Sequence, residues 1–134
     1  MVEQDLFELL PNKKPKAVAN SKNDRNIWDD YGDNCEMNLF YRSFVSAEGW
    51  VGESYIAIWT PEEIAEFPQE TLEWYGRENH FFASDGGGEM FGFNFQNDQA
   101  IYLVAPSIGD KEDIIKIGTW IAFLEALKQG TYLG

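Results

Sequence analysis

The chain has 134 residues, of which 44% are hydrophobic and 16% aromatic, enough to build one globular domain with a buried core. Ten bases against 23 acids give a net charge of −13, which disfavours direct binding to nucleic acids or anionic membranes. Residues 1–25 hold five bases and four acids, and residues 26–134 hold five bases and 19 acids. This acidic body either attracts basic protein partners or simply keeps a small domain soluble.

The N-terminus and the cysteine count indicate where the protein works. The N-terminus places its acids before its apolar residues and its bases after them, the reverse of a signal peptide. The longest apolar run, residues 100–105, is far shorter than a membrane span. Cys35 is the one cysteine in the sequence, so the chain has no internal disulfide, as is typical of a reducing compartment. The sequence therefore predicts a cytoplasmic protein.

In chain order, the first third of the sequence predicts two helices separated by a loop. Three leucines at helical spacing predict a short helix over residues 3–10, which Pro11 ends. Residues 11–26 are polar and basic, and they predict a loop or arm. From about Asn34, a second helix is predicted by apolar residues that recur on one helical face: Met37, Phe40, Tyr41 and Phe44. Gly49 stands where the C-terminal cap of that helix would lie.

The middle and the end of the chain carry the clearest local signals. Residues 53–59 are rich in β-forming side chains and predict a strand. Thr60 and Glu63 form the pattern of a capping box, which predicts a helix that Pro68 interrupts and that continues for another turn or two. A last helix is predicted by a capping threonine, an apolar face and a closing glycine: Thr119, Trp120, Phe123, Leu124, Leu127 and Gly130.

The stretch ASDGGGEMFGFNF, residues 83–95, predicts the turn of a β-hairpin. A phosphate loop needs a nearby positive charge, but Asp85 and Glu89 flank these glycines. A calcium loop needs oxygen ligands at regular spacing, which this segment does not match. Glycines permit a tight turn, and aromatic residues at alternate positions then indicate a half-buried strand: Phe91, Phe93 and Phe95. Residues 100–105 predict a third strand, so a β-meander explains the segment without a metal or a cofactor.

Four segments in order carry a resemblance to a known family. They are a helix ending FVSAEGW, the step YIAIWTPEEI, the hairpin FFASDGGGEMFGFN and the helix TWIAFLEALKQG. Their order and spacing resemble the SUKH superfamily, which includes yeast regulators of cell-wall synthesis and bacterial immunity proteins. The resemblance covers residues 36–130 of a single domain and leaves residues 1–35 outside it. It implies an α+β fold with a mostly antiparallel sheet and a central β-meander, flanked by N-terminal, middle and C-terminal helices.

The resemblance also implies a protein that works by binding and has no catalytic role. Bacterial members are commonly immunity proteins, which bind and neutralise a cognate toxin domain. Many such toxins are nucleases with basic clefts, and an acidic protein can enter such a cleft in place of the phosphate backbone. We therefore expect a cognate toxin domain, basic in charge, as the partner. A regulatory interaction domain is an alternative, because some relatives serve regulation.

Enzymatic alternatives find little support in the residue types. Cys35 and His80 are the only candidates for a thiol–imidazole pair, and neither carries a motif. Glu62, Glu63 and Glu66 fit the first turn and the solvated face of a helix. The alternative from another class is a carbohydrate-binding or carboxylate-based glycoside-acting protein, because 23 acids and five tryptophans could line a sugar cleft. Sugar binding would be insensitive to salt, whereas association with a basic protein would depend strongly on salt.

Aromatic residues ringed by acids are the usual anchors of a protein interface. On this basis we predict one acidic face built from residues 48–53 and 70–78, with the hairpin tip at its edge. The candidate partner-binding residues are Glu48, Trp50, Glu53, Glu70, Glu73, Trp74, Tyr75, Glu78, Asp85 and Glu89. For the aromatic members, the alternative is that their rings cap the core, and for Asp85 that its carboxylate accepts hydrogen bonds from turn amides. Trp59 and Trp120 are expected in the core.

Overall fold

An antiparallel sheet, with its strands in chain order, is the framework of the protein. A computed structural model describes residues 6–16, 34–107 and 109–133, and within them seven strands and four helices form one α+β domain. The strands are β1 (Lys14–Pro15), β2 (Phe44–Val51), β3 (Ser54–Ile58), β4 (His80–Ser84), β5 (Met90–Gln96), β6 (Gln99–Ala105) and β7 (Ile115–Gly118). The helices are α1 (Glu36–Ser43), α2 (Pro61–Ala65), α3 (Gln69–Tyr75) and α4 (Trp120–Gln129), with a 3-10 turn at Lys111–Asp113. The predicted fold class is confirmed.

Helices pack on both faces of the sheet, over most of one face and over part of the other. On β6, Tyr102 and Val104 belong to the main core, whereas Leu103 and Ala105 belong to a second cluster, because successive side chains of a strand point to opposite faces. The main core lies between the first face and helices α1 and α4. The second cluster lies under α3, where the Tyr75 ring packs edge to face against Phe81 of β4. Within the described residues, no helix packs on the second face of β2 and β3.

Local capping interactions explain where α2 and α4 begin and end. The Thr60 hydroxyl accepts a hydrogen bond from the backbone N–H of Glu63, and the Glu63 carboxylate accepts one from the N–H of Thr60, which completes the capping box. The Thr119 hydroxyl caps α4 by accepting a hydrogen bond from the backbone N–H of Ala122. Gly130 ends the helix in the left-handed conformation, with φ of 70°. The predictions for both helices are confirmed.

The glycine-rich segment is the turn between β4 and β5. β5 pairs in register with β6 from Met90 to Gln96, so β4, β5 and β6 form the predicted meander. Alternating aromatic residues of β5 face the main core, where the Phe91 ring lies 5.3 Å from that of Phe123 on α4. The predicted strand over residues 53–59 is also present, as β3.

The prediction that α1 continues to a cap at Gly49 is wrong. The helix ends at Ser43, and β2 follows at once and pairs with β3 from Ala47 to Val51. Phe44 suggested a longer helix because its ring still packs against Phe40, with centroids 5.3 Å apart, although its backbone is already extended. Gly49 is needed for another reason: its φ is 147°, and a Cβ there would lie 2.7 Å from the Pro11 side chain. The FVSAEGW segment is therefore mainly strand.

The N-terminal segment is described only from residue 6, so residues 3–5 of the predicted helix lie outside the described part. Residues 6–9 form a helical turn in which Phe7 and Leu10 are buried, whereas Leu9 is 47% exposed. The predicted loop over residues 11–26 contains β1, which pairs with the edge of β2, while residues 17–33 lie outside the described part. Strand β7 was not predicted. Across the described ranges, none of the helices has the length and apolar character needed to cross a bilayer.

Candidate functional site

The open part of the second sheet face forms a groove of about 630 Å³, which we call the β2–β3 groove. Its floor is made by the outward side chains of β2 and β3, and its ends by β1 and the start of α2. The residues that line it are Asn12, Lys14, Ser46, Ala47, Glu48, Gly49, Trp50, Tyr55, Ala57, Ile58, Trp59, Thr60 and Glu63. Aromatic rings and carboxylates therefore share one concave surface.

Trp50 is the most exposed large apolar side chain of the described residues, at 65%. It is the cross-strand partner of Tyr55, and the two rings meet edge to face with centroids 5.6 Å apart. The hairpin turn supports Tyr55 from the other side, because a Cβ on Gly86 would lie 3.2 Å from the Tyr55 ring. The Trp50 ring is therefore held in place from one side and open to solvent on the other.

Two carboxylates of the groove are each oriented by one hydrogen bond. The Tyr55 hydroxyl donates to Oε2 of Glu48, and the backbone N–H of Thr60 donates to Oε1 of Glu63 at 2.9 Å. The hydrogen bond to Glu48 is the main cause that raises the pKa of Tyr55 above its ordinary value, so this hydroxyl stays protonated and donating at neutral pH. Within the described residues, the second oxygen of each carboxylate accepts no hydrogen bond. Lys14, at the edge of the groove, forms no ion pair there either.

The predicted acidic face is not continuous. Glu48 and Trp50 lie in the groove, whereas Trp74, although 59% exposed, donates its indole N–H to the carbonyl of Gly109 in the connection between β6 and β7. β2 and β6 are four strands apart, which is roughly 19 Å at the usual strand spacing. The Trp50 and Trp74 regions are therefore two separate surfaces.

Several other predicted residues already have structural partners. Tyr75 is buried and donates its hydroxyl to the carbonyl of Pro106, so its ring belongs to the core. Glu73 pairs with Arg77 at 2.8 Å, and Glu78 lies 3.7 Å from the ammonium of Lys111. Glu53 and Glu70 are exposed, Glu53 in the β2–β3 turn and Glu70 in the first turn of α3.

Asp85 and Glu89 organise the hairpin turn. Asp85 Oδ1 accepts hydrogen bonds from the backbone N–H groups of Gly87 and Glu89, at 2.8 and 3.2 Å, and Oδ2 accepts from the Tyr132 hydroxyl at 2.8 Å. Glu89 in turn accepts from the backbone N–H of Ser107 at 3.2 Å. The geometry agrees with the alternative raised from the sequence, that Asp85 accepts hydrogen bonds from turn amides.

A second groove, also of about 630 Å³, was missed by sequence reasoning. Three bases contribute to its lining, Arg77, Lys111 and Lys116, together with His80 and two asparagines. The bases come from the turn after α3, the 3-10 turn and β7, which are far apart in the chain and meet through the packing of the sheet. Two of the three bases are already in the ion pairs with Glu73 and Glu78.

Cys35 and His80, the candidates for a thiol–imidazole pair, both favour their neutral forms in the structure. Cys35 is fully buried in the main core, and burial raises the pKa of its thiol to about 12, so it is protonated at neutral pH and is a poor nucleophile. Burial lowers the pKa of His80, which favours its neutral form. Over residues 6–16, 34–107 and 109–133, no three His, Cys, Asp or Glu side chains gather in a way that could hold a metal ion.

The residues that sequence reasoning missed in the β2–β3 groove are Tyr55 and Glu63. Each was assigned a purely structural task, Tyr55 in a strand and Glu63 in a capping box. A two-residue turn at Gly52 and Glu53 would have placed Tyr55 opposite Trp50, and this was the signal that could have found it.

Compared with known proteins, the chain matches no protein-family model, and no curated protein matches it in sequence.

Proposed function

We propose that this protein is a non-catalytic protein-binding domain that docks a basic partner in the β2–β3 groove. The observation that carries the proposal is the exposed Trp50 ring, which Tyr55 holds near the carboxylate of Glu48 in a groove that Glu63 also lines. A rigid aromatic side chain in a concave, partly apolar surface is the usual centre of a protein interface. Within the described residues, the second face of β2 and β3 is accessible to a partner along this groove.

The charge of the chain indicates what kind of partner would bind. Residues 26–134 carry 19 acids and five bases, a field that accelerates encounters with basic proteins. The resemblance of residues 36–130 to the SUKH superfamily suggests a cognate toxin domain as the partner, and many such toxins are nucleases with basic clefts. In this proposal the protein is an immunity protein, and neutralisation follows from occupying the toxin surface.

A carbohydrate ligand is the second candidate, and the same groove favours it. An exposed tryptophan beside carboxylates is also a surface on which a sugar ring can stack. The two candidates differ in their response to salt, because sugar stacking involves no net charge, whereas a basic protein is attracted by the acidic surface. Titration at low and moderate salt with the toxin domain and with oligosaccharides separates them.

The direct test is capture of the C-terminal domain of whichever large protein is encoded beside this one, with rescue of cells that express that domain. We expect tight, salt-sensitive capture and rescue by the natural protein. Trp50→Ala should weaken binding at least tenfold, because truncation of a central aromatic residue costs about 2 kcal/mol or more. Its unfolding curve should change little, since the ring is mostly in solvent.

Glu48→Lys and Glu53→Lys form a matched pair for this test. Both replace an exposed glutamate of the β2–β3 hairpin by lysine, but only Glu48 lines the groove. Glu48→Lys should accelerate dissociation of the partner, whereas Glu53→Lys should only slow association through the weaker field. If the partner dissociated from Glu48→Lys and from Trp50→Ala no faster than from Glu53→Lys, the groove would be refuted as the docking site.

A further inference from the structure

The β2–β3 groove has two carboxylate oxygens that face no donor within the described residues. Glu48 uses one oxygen for the Tyr55 hydroxyl, and Glu63 uses one for the backbone N–H of Thr60. These two hydrogen bonds fix the carboxylates and leave the second oxygen of each open. The exposed Trp50 ring belongs to the same groove. An oriented acceptor near an aromatic face, as Glu48 and Trp50 provide around Tyr55, is what a cationic side chain needs, and Glu63 adds a second acceptor to the groove.

We propose that the groove binds an arginine side chain of the partner, with its guanidinium against the Trp50 ring and hydrogen-bonded to Glu48, while Glu63 adds negative charge to the same groove. This inference rests on the proposed protein-binding function and names the chemistry that the groove recognises. Arginine fits better than lysine because its planar guanidinium stacks on an aromatic ring and presents several N–H donors in fixed directions. An ammonium group is compact and more strongly hydrated, so it gains less from the ring.

Among the described residues that line the groove, Lys14 is the one cation, and this makes a second consequence testable. It lies on β1, which pairs with β2 through the backbone at Ser46, so its side chain is not needed for the strand. The ammonium of Lys14 offsets part of the negative charge of Glu48 and Glu63. Lys14→Gln should therefore strengthen binding of an arginine side chain, by roughly two- to threefold at low salt.

The experiment is an NMR titration of the full chain with the peptide acetyl-Gly-Arg-Gly-amide. Matched peptides carry lysine or citrulline, the latter having nearly the shape of arginine without its charge. We expect saturable shifts of the Trp50 indole N–H and of the backbone amides of Glu48, Tyr55 and Glu63. The lysine peptide should bind several-fold more weakly, and the citrulline peptide should produce no saturable shift.

Two double variants distinguish the groove from the general acidity of the chain. Glu48→Gln with Glu63→Gln should weaken the arginine peptide at least tenfold, and it preserves the fold because glutamine still accepts from Tyr55 and still completes a capping box. Glu62→Gln with Glu66→Gln removes the same charge from exposed positions of the α2 segment outside the groove, and should weaken binding less than twofold.

Three results would overturn the arginine site. They are equal binding of the arginine and citrulline peptides, shifts spread over the acidic surface, and equal losses in the two double variants. The outcome is separable from the proposed function. Loss of toxin capture in Trp50→Ala without any peptide binding would reject the arginine site and retain the docking groove. Peptide binding in the groove without any captured protein partner would retain the arginine site and reject the immunity function.

Discussion

Replacing Asp85 by alanine tests whether this residue holds the hairpin turn together or serves only as a contact for a partner. Its carboxylate accepts three hydrogen bonds, from the N–H groups of Gly87 and Glu89 and from the Tyr132 hydroxyl. The first two close the turn between β4 and β5, and the third ties the C-terminal residues to that turn. Asp85→Ala removes all three at once and leaves the strands themselves unchanged.

The expected loss of stability follows from those three hydrogen bonds. Each contributes about 1 kcal/mol net, and bonds to a charged acceptor contribute more, but water replaces part of the loss at this half-exposed site. We therefore expect the free energy of unfolding to fall by roughly 2 to 3 kcal/mol. Urea denaturation followed by far-ultraviolet circular dichroism measures this change directly, since the midpoint shifts while the slope stays constant.

Tyr132→Phe provides the control, because it removes only one of the three hydrogen bonds and keeps the ring that packs edge to face on Phe91. It should cost about 1 kcal/mol. In the double variant with Asp85→Ala, this cost should disappear, which gives a coupling energy of about 1 kcal/mol between the two side chains. A loss of less than about 0.5 kcal/mol in Asp85→Ala, with no coupling, would refute the structural role and return Asp85 to the candidate interface.

Two further predictions concern the backbone at Gly49 and the buried tyrosines. Gly49→Ala should lower the free energy of unfolding by about 2 kcal/mol, because φ is 147° and the new Cβ would lie 2.7 Å from Pro11. Gly87→Ala is the control: its nearest atoms would be 3.5 Å from the new Cβ, so it should cost less than about 0.5 kcal/mol. Urea denaturation of both variants checks this, and equal losses would contradict it. Burial, and then the charge of Glu36, raises the pKa of Tyr102 well above 10.0, and burial likewise raises that of Tyr41, so both stay protonated in the folded protein while unfolded tyrosines ionise near pH 10. The folded state then holds more protons, and the free energy of unfolding should fall above pH 10 by up to about 1.4 kcal/mol per pH unit for each of these tyrosines. Tyr102→Phe should show a shallower decline in the same titration, and an unchanged slope would contradict the assignment.

Local chemistry made several elements predictable from the sequence. The capping box of Thr60 and Glu63 and the pair of Thr119 and Gly130 determine helix ends through contacts between residues close in the chain. The alternation after Asp85 likewise identifies β5 from neighbouring residues alone. What these elements share is that the interactions that define them lie within a few residues.

Strands β1, β2 and β7 were missed because their stability comes from distant partners. β2 begins directly after α1, and Phe44 satisfies the helical pattern and the strand at once. β1 is two residues long and exists only through its pairing with the edge of β2. The N-terminal helix was predicted from the spacing of its leucines alone. In the structure, Trp120 at the other end of the chain donates its indole N–H to the carbonyl of Leu6 at 2.7 Å. No local pattern contains such information.

The candidate site was predictable in part, for the same reason. Glu48 and Trp50 stood out as an aromatic residue beside acids, and the structure places both in the groove. Tyr55 and Glu63 reach the groove through the β2–β3 pairing and the start of α2. Tyr55 was recognised in the sequence only as a strand residue and Glu63 only as part of a capping box, so their position in the groove was not predicted. A residue that stabilises a local element can also supply one open atom to a site.

The overall acidity of the chain and the acids of the groove contribute to binding in different ways. Glu73, Glu78, Asp85 and Glu89 have partners within the protein, so they add to the field around it but have less capacity to bind a partner directly. Salt screens that field over about 8 Å at physiological strength, whereas a contact from which water is excluded is screened much less. If the proposed docking in the β2–β3 groove is correct, salt should act mainly on the rate of association, while Trp50 and the open oxygen of Glu48 should set the rate of dissociation. In that proposal the charge of −13 suggests the kind of partner, and the pairing of β2 with β3, which brings Trp50, Tyr55 and Glu48 together, suggests the docking site.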